Sequence, residues 1–204
     1  MAANKPKKKQ ALRNNEYYST QALFDDLYER SQRGEIFTHL MELIASEQNI
    51  LLAYRAIKKN KGSKTKGVNS TTIVEMGEKQ PEELVAYVRK RLQNFHPHAV
   101  RRVEIPKPDG RMRPLGIPTM EDRIVQQCIK QVLEPICEAK FYKHSYGFRP
   151  NRSAHHAVAR AMFLVNISKY RYVVDVDIKG FFDNVDHGKL LKQLWTLCLH
   201  LSRC

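Results

Sequence analysis

Several things are scarce or missing in this sequence. Its four cysteines, Cys128, Cys137, Cys198 and Cys204, form no C-x-x-C pair, and His96 and His98, which flank Pro97, have no cysteine near them. That pattern argues against a zinc site and for free thiols in a reducing compartment, so a cytoplasmic location is expected. No apolar run approaches the ~18 residues of a spanning helix, and no membrane partner is expected. The N-terminus lacks the apolar core of a secretory leader. Acidic residues are missing in two places: none precedes Glu16, and none occurs from Ala139 to Val174. There is no internal repeat and no long low-complexity segment.

What is present is positive charge. Lys and Arg number 35 against 21 Asp and Glu, a net +14 with a pI near 9.7. Such an excess points to a polyanion, with nucleic acid the first candidate. With 42% hydrophobic residues over 204 positions, the chain can also build a core. Residues 1 to 18, opening with Lys5-Pro-Lys-Lys-Lys9 and Arg13, read as a flexible basic arm that either touches nucleic acid or keeps the protein soluble. From Thr20 to about Asn60 the apolar residues Leu23, Leu27, Leu40, Met41, Ile44, Leu51, Tyr54 and Ile57 recur at helical spacing, with a break at Arg33-Gly34 and a cap at Ser46. Lys61, Lys64 and Lys66 then fall in a glycine-containing loop, Asn60–Gly67, whose amides and lysines suit phosphates. It is not a Walker loop. Pro81 starts a further helix to about Phe95, with Leu84, Tyr87, Val88, Arg91 and Leu92 on one face.

Residues 101–106 and 111–117 read as two strands around the turn Lys107-Pro-Asp-Gly110, where proline presets φ and glycine accepts a positive one. Pro106 and Pro114 favour an edge or irregular pairing. Lys107, Arg111 and Arg113 make the tip a cationic finger. Thr119 caps a helix whose apolar face is Ile124, Val125, Cys128, Ile129, Val132, Leu133 and Ile136, with Arg123, Gln126, Gln127 and Lys130 away from it. In the acid-free segment, Tyr142, Tyr146 and Phe148 interleave with basic residues that include Arg149 and Arg152. This is the composition of a single-strand RNA track, or of a loop whose aromatics plug the core. Ser153 begins a helix expected to turn Ala154, Ala157, Val158, Ala161, Met162 and Val165 inward.

The chain's focus is Tyr172 to Asp186. Tyr172, Val174, Val176 and Ile178 alternate with Val173, Asp175 and Asp177, a period-two pattern that predicts a strand ending at Gly180. Asp175 and Asp177 share one face. Carboxylates there are either solvated edge acids or, given the basic setting, part of a magnesium site for phosphoryl transfer. Asp186 is expected to cap a last helix, Lys189 to Leu199.

Four motifs together, Ile105–Thr119, Asp122–Gln126, Ser145–Pro150 and Asp177-Ile-Lys-Gly-Phe-Phe-Asp183, resemble bacterial group II intron-encoded reverse transcriptases, or maturases. The Asn60–Ser63 loop and the helices before it resemble that family's N-terminal fingers extension, so the resemblance runs from about residue 19 to about 195. It implies an α+β right-hand polymerase architecture: the arm at 1–18, a helical extension at 19–95, and fingers with an incomplete palm at 96–204. It implies RNA-directed DNA synthesis on an RNA template, from a DNA primer and deoxynucleoside triphosphates, together with intron RNA binding. In that scheme Asp177 matches the catalytic aspartate that binds two magnesium ions, and the Ile178 carbonyl is a backbone ligand. Asp175 is a neighbour of that site. Phe182 matches the aromatic that reads the nucleotide's sugar. Lys107 and Arg113 match residues that hold its triphosphate, and Ser145–Pro150, with Tyr146 and Arg149, lines the template path.

Two departures stand out. Gly67-Val-Asn-Ser70 replaces the family's Gly-Val-Asp-Gly. The family's Tyr-x-Asp-Asp metal element, thumb and maturase domain do not occur in this sequence, and its tail, Cys198–Cys204, does not resemble the family's continuation. The expectation is a truncated chain that does not extend a primer by itself, from a shifted or stopped reading frame or an artificial boundary. The alternatives are a non-catalytic RNA-binding remnant and a pseudogene product.

Overall fold

The structure is a computed structural model, and it describes residues 14 to 197. Three long amphipathic helices form the centre: α2 (Gln21–Gln32), α4 (Glu47–Lys59) and α7 (Met120–Glu138). α7 is the axle. It packs against α2, α4, the short α3 (Leu40–Ile44) and α6 (Pro81–Gln93). Ile124, Val125, Cys128, Val132 and Ile136 of α7 are all buried, as the spacing predicts. They meet Phe24 and Leu27 from α2, Leu40 and Ile44 from α3, Ile50, Leu52, Ala53 and Ile57 from α4, and Leu84, Val85, Val88 and Leu92 from α6, in one contiguous core. Residues on both sides of the boundary expected at 95/96 therefore share that core.

The helix signals hold in detail. Gly34 adopts φ +79° at the break after α2. Ser46 accepts from the Asn49 amide at the start of α4, Pro81 opens α6, and the Thr119 hydroxyl accepts from the Asp122 amide to open α7. Such caps satisfy amides that a helix cannot pair internally. Buried polar groups stitch the helices together. Asn49 donates to the Ile44 and Cys128 carbonyls at 2.9 and 3.0 Å and accepts from Gln131 at 2.7 Å. Ser31 donates to the Ile136 carbonyl at 2.8 Å, pairing one of the carbonyls orphaned at the end of α7.

The hairpin forms as expected. β1 (Arg101–Pro106) pairs antiparallel with β2 (Met112–Ile117), with Glu104 opposite Pro114 and Ile105 opposite Arg113. Gly110 takes φ +80° in the turn. Among the described residues this is the only sheet.

Other expectations need correction. Residues 169–178 are irregular and exposed, not a strand. A strand is completed by hydrogen bonds to neighbours, and no described segment pairs with Tyr172–Ile178. The helix after Ser153, α8 (Ala154–Asn166), is present but buries nothing; Val158, Met162 and Val165 are exposed. Tyr142 and Phe148 plug no core, since both are exposed. Asn14–Tyr17 is a short helix, α1, inside the stretch expected to be a flexible arm; residues 1–13 lie outside the described residues. A four-residue helix, α5 (Ile73–Met76), with a full capping box at Thr72, had no signal strong enough to place it. The last helix, α9, runs His187–Leu197 and starts two residues early. Asp186 still caps it, its carboxylate accepting from the Lys189 amide at 3.0 Å. The expected end of that helix and the tail lie outside the described residues.

Candidate nucleic-acid interface

A first basic group is built from the loop after α4 and from the β1–β2 hairpin, whose base touches that loop beside the N-terminus of α7. The loop after α4 closes into a 3-10 turn, Lys61–Lys64, and leaves Lys61, Lys64 and Lys66 exposed. Its carbonyls are held from behind. Arg101, at the start of β1, donates to the Lys66 carbonyl at 3.0 Å, and Arg123 of α7 donates to those of Gly62 and Thr65 at 3.0 and 2.9 Å. At the hairpin tip, Arg111 is occupied: its guanidinium grips Asp109 at 2.9 and 2.6 Å, and this partner holds the Asp109 carboxyl below the usual range. That leaves Lys107 and Arg113 as the tip's exposed cations, and neither has an acidic partner among the described residues. They lie near the two ends of the turn, with the Lys107 amide donating to the Arg111 carbonyl at 2.7 Å.

A second basic group sits at residues 138–152. His144 and Tyr146 share a hydrogen bond of 3.1 Å, Tyr142 packs edge-on against His144, and the Arg152 guanidinium lies 5.9 Å from the Tyr146 ring centre. Burial first, then the cations Arg160, Lys143 and Arg152, push the His144 imidazole down and favour its neutral form. Arg149 differs from its neighbours. Its side chain is only 5% exposed and is committed to Glu138 at 2.6 Å and to the Tyr142 and Ser145 carbonyls at 2.7 and 2.9 Å. It ties the motif loop to the end of α7.

Asp177, Ile178 and Phe182 lie apart from both groups, in the exposed segment. Gly180 turns the chain at φ +62° into a second 3-10 turn, Phe181–Asn184, and the Asn184 side-chain Nδ2 donates to the Gly180 carbonyl at 2.9 Å. Phe182 packs edge-on against Phe181 at 5.4 Å and is otherwise 83% exposed. No hydrogen bond or ion pair joins Asp177 to Lys107 or Arg113, and among the described residues no cluster of three His, Cys, Asp or Glu side chains could hold a metal.

Two features escaped the sequence reading. Asp122, with a side chain 3% exposed, accepts from Arg91 at 2.7 Å and from the His98 amide at 2.8 Å, with the His98 ring at 3.1 Å. Burial alone would raise this carboxyl; the His98 and Arg91 contacts outweigh it and hold it low. This hub ties α6 and the 94–100 connection to the start of α7. The other is Arg123, placed on an idle face by its spacing, which instead grips the loop after α4. Neither partnership has a local signal, because the partners lie 24 to 61 residues away in sequence. Asn69, at a position where the motif departs from the family, donates to both oxygens of Glu121 at 3.0 and 3.1 Å. The Cys128 thiol is pushed up to about 12 by burial and is inert at neutral pH.

Comparison with known proteins bears on the family. Residues 105–202 match the family described as reverse transcriptase (RNA-dependent DNA polymerase). The chain is 34% identical over 175 residues to the group II intron-encoded protein LtrA of Lactococcus lactis, a stretch covering 84% of this chain and 28% of that protein. It is 37% identical over 158 residues to protein YkfC of Escherichia coli, covering 75% of this chain and 41% of that one. A putative COX1/OXI3 intron 2 protein of Saccharomyces cerevisiae is 33% identical over 78% of this chain and 18% of its own length. The chain thus spans less than half the length of each. No helix among the described residues is long and apolar enough to cross a membrane. Motifs, basic surface and relatives converge: the chain belongs to the reverse transcriptase family, among the group II intron-encoded proteins.

Proposed function

We propose that this chain supplies the template- and nucleotide-holding part of an RNA-directed DNA polymerase encoded by a group II intron, working in the cytoplasm. In this reading residues 19–95 are the helical fingers extension and 96–204 are fingers and palm, with residues 1–18 a basic arm. The observation that carries it is a set of exposed cations with no acidic partner among the described residues, Lys61, Lys64 and Lys66 in the loop beside the α7 N-terminus and Lys107 and Arg113 at the hairpin tip, with the loop's carbonyls and the tip's Asp109 already engaged. Lysine and arginine without acidic partners are what phosphates need. Tyr146 and Arg152 add a stacking and cationic surface for template RNA, and Arg149 serves it by holding the loop in shape. Lys107 and Arg113 take the triphosphate of an incoming deoxynucleotide, and Phe182 sits against its sugar.

The residues offer part of a magnesium site. The Asp177 carboxylate is exposed and without an ion-pair partner among the described residues, and the adjacent Ile178 carbonyl can join it. Magnesium accepts a few protein oxygens and completes its shell with water and substrate phosphates, where it would neutralise phosphoryl charge. A second reading, RNA binding without polymerisation by this 204-residue chain, is favoured by the exposure of the Asp177 segment. Two assays separate them. RNA titration at several salt concentrations should give a steep slope, about 0.7 per phosphate neutralised on a single strand; a flat slope would remove the electrostatic account. Primer extension on an RNA template with magnesium should yield no product from this chain. Template-dependent DNA synthesis abolished by Asp177→Asn would show that it polymerises unaided.

A further inference from the structure

Among the described residues, Arg123 pairs with no acid. Its guanidinium donates to three backbone carbonyls: Nε to Pro118 at 3.0 Å, Nη1 to Gly62 at 3.0 Å and Nη2 to Thr65 at 2.9 Å. Arg101 takes the next carbonyl, that of Lys66. At the far end of the loop, Gly67 lies so close to the start of α7 that an added Cβ would sit 2.7 Å from the Thr119 Cα. The loop is thus clamped by two arginines and seated by a glycine, with Ser63 buried beneath it. Lys61, Lys64 and Lys66 remain exposed and without acidic partners among the described residues.

This arrangement has an electrostatic consequence. Backbone carbonyls repel phosphate oxygens, whereas amides and ammonium groups attract them. A planar guanidinium can hold several carbonyls in fixed directions, which a lysine cannot. Burial, and then the nearby Arg101 cation, pull the Arg123 pKa down, as expected for a cation held by carbonyls without a counter-ion.

We propose that Arg123 is a positioning residue for RNA: it holds the Lys61–Lys66 loop in the backbone shape that offers three lysines together to the phosphates of an RNA strand and keeps the loop's carbonyls turned away. This rests on the reading of that loop as an RNA contact. Arg123 acts through the loop and neutralises no phosphate itself.

The test is titration of a labelled oligouridylate with the 204-residue chain at several salt concentrations, below the melting transition of every variant. Replacing Lys61, Lys64 and Lys66 together by Ala should flatten the salt slope by about 0.7 for each phosphate lost. Arg123→Gln should reproduce most of that loss. Arg123→Lys, which keeps the charge, should do nearly the same. Adding Arg123→Gln to the lysine variant should cost little more, the non-additivity expected of groups that act as one unit. Gly67→Ala, which removes no charge, should flatten the slope as well. The proposal is overturned if Arg123→Lys restores the wild-type slope, since charge alone would then suffice. It is overturned if Arg123→Gln loses one phosphate's worth additively with the lysines, which marks a direct contact. A lower melting temperature with an unchanged slope marks a merely structural residue and overturns it too. If the triple-lysine variant binds like wild type, the RNA reading of the loop fails first, and the role of Arg123 falls with it.

Discussion

Leu27, Ile50 and Ile124 are buried, while Val174, Val176 and Ile178, side chains of the same kind, stand 83%, 80% and 63% exposed. The first three belong to helices between residues 21 and 138, the others to the segment after α8. The difference lies in what each kind of element needs. A helix pairs its own backbone and asks its neighbours only for an apolar stripe to lie against. The amphipathic helices α2, α4, α6 and α7 meet that need among themselves. A strand leaves its amides and carbonyls unpaired until another strand lies beside it. Tyr172–Ile178 carries the right alternation without such a neighbour among the described residues, so its apolar side chains have nothing to pack on.

The sharpest way to break the comparison is to empty the helical core. Ile124→Ala removes a fully buried side chain where α7 meets its partners, and a loss of about 2–5 kcal/mol in denaturant unfolding is expected. A loss under about 1 kcal/mol would mean that α7 is not the axle.

Asp122→Asn should cost about 3 kcal/mol at neutral pH, because the half-buried Arg91 would be left without its counter-charge. The sign with pH follows from the lowered carboxyl. Stability from the hub is complete above the unfolded-state value of about 3.9 and is lost as pH falls through the lower folded value. Unfolding curves for the two proteins should therefore converge in acid; a constant gap from neutral pH to about pH 3 would assign the loss to shape instead of charge.

Lys107→Ala and Arg113→Ala test the exposed hairpin, which the core comparison predicts is dispensable for folding. In a chain extended to the length of its relatives, each should raise KM for nucleotide about ten- to a hundredfold, the worth of one charge-assisted contact, with the melting temperature unmoved. Equal losses in template affinity would make the hairpin a general RNA surface.

The smallest stability effects belong to the exposed segment. Val174→Ala and Phe182→Val should each move unfolding of this chain by less than about 0.5 kcal/mol. In the extended chain Phe182→Val should narrow the preference for deoxynucleotides over ribonucleotides, since a smaller side chain leaves room for a 2′-hydroxyl. A loss of stability in this chain would show that Phe182 is a packing residue, and an unchanged sugar preference would end its assignment as a gate.

Much of this was legible in the residues. Helical spacing identified the buried face of α7, Ser46, Thr119 and Asp186 declared their helix starts, and Pro108-Asp109-Gly110 declared its turn. The four ordered motifs between residues 105 and 183 together carried the family. These are local patterns, set by side-chain periodicity and by the few residues that can cap or turn a backbone. Tertiary structure decided which charges are free. Arg149 and Arg123 are ordinary basic residues in the sequence, yet one is consumed by Glu138 and the other by carbonyls 58 and 61 residues away. Asp122 reads as part of a helix start and is instead the centre of a buried hub. A charge finds its partner through the folded backbone, at separations no local pattern reports, and a strand finds its neighbours in the same way. The alternation of Tyr172–Ile178 therefore stated a preference, and pairing across space was needed to realise it.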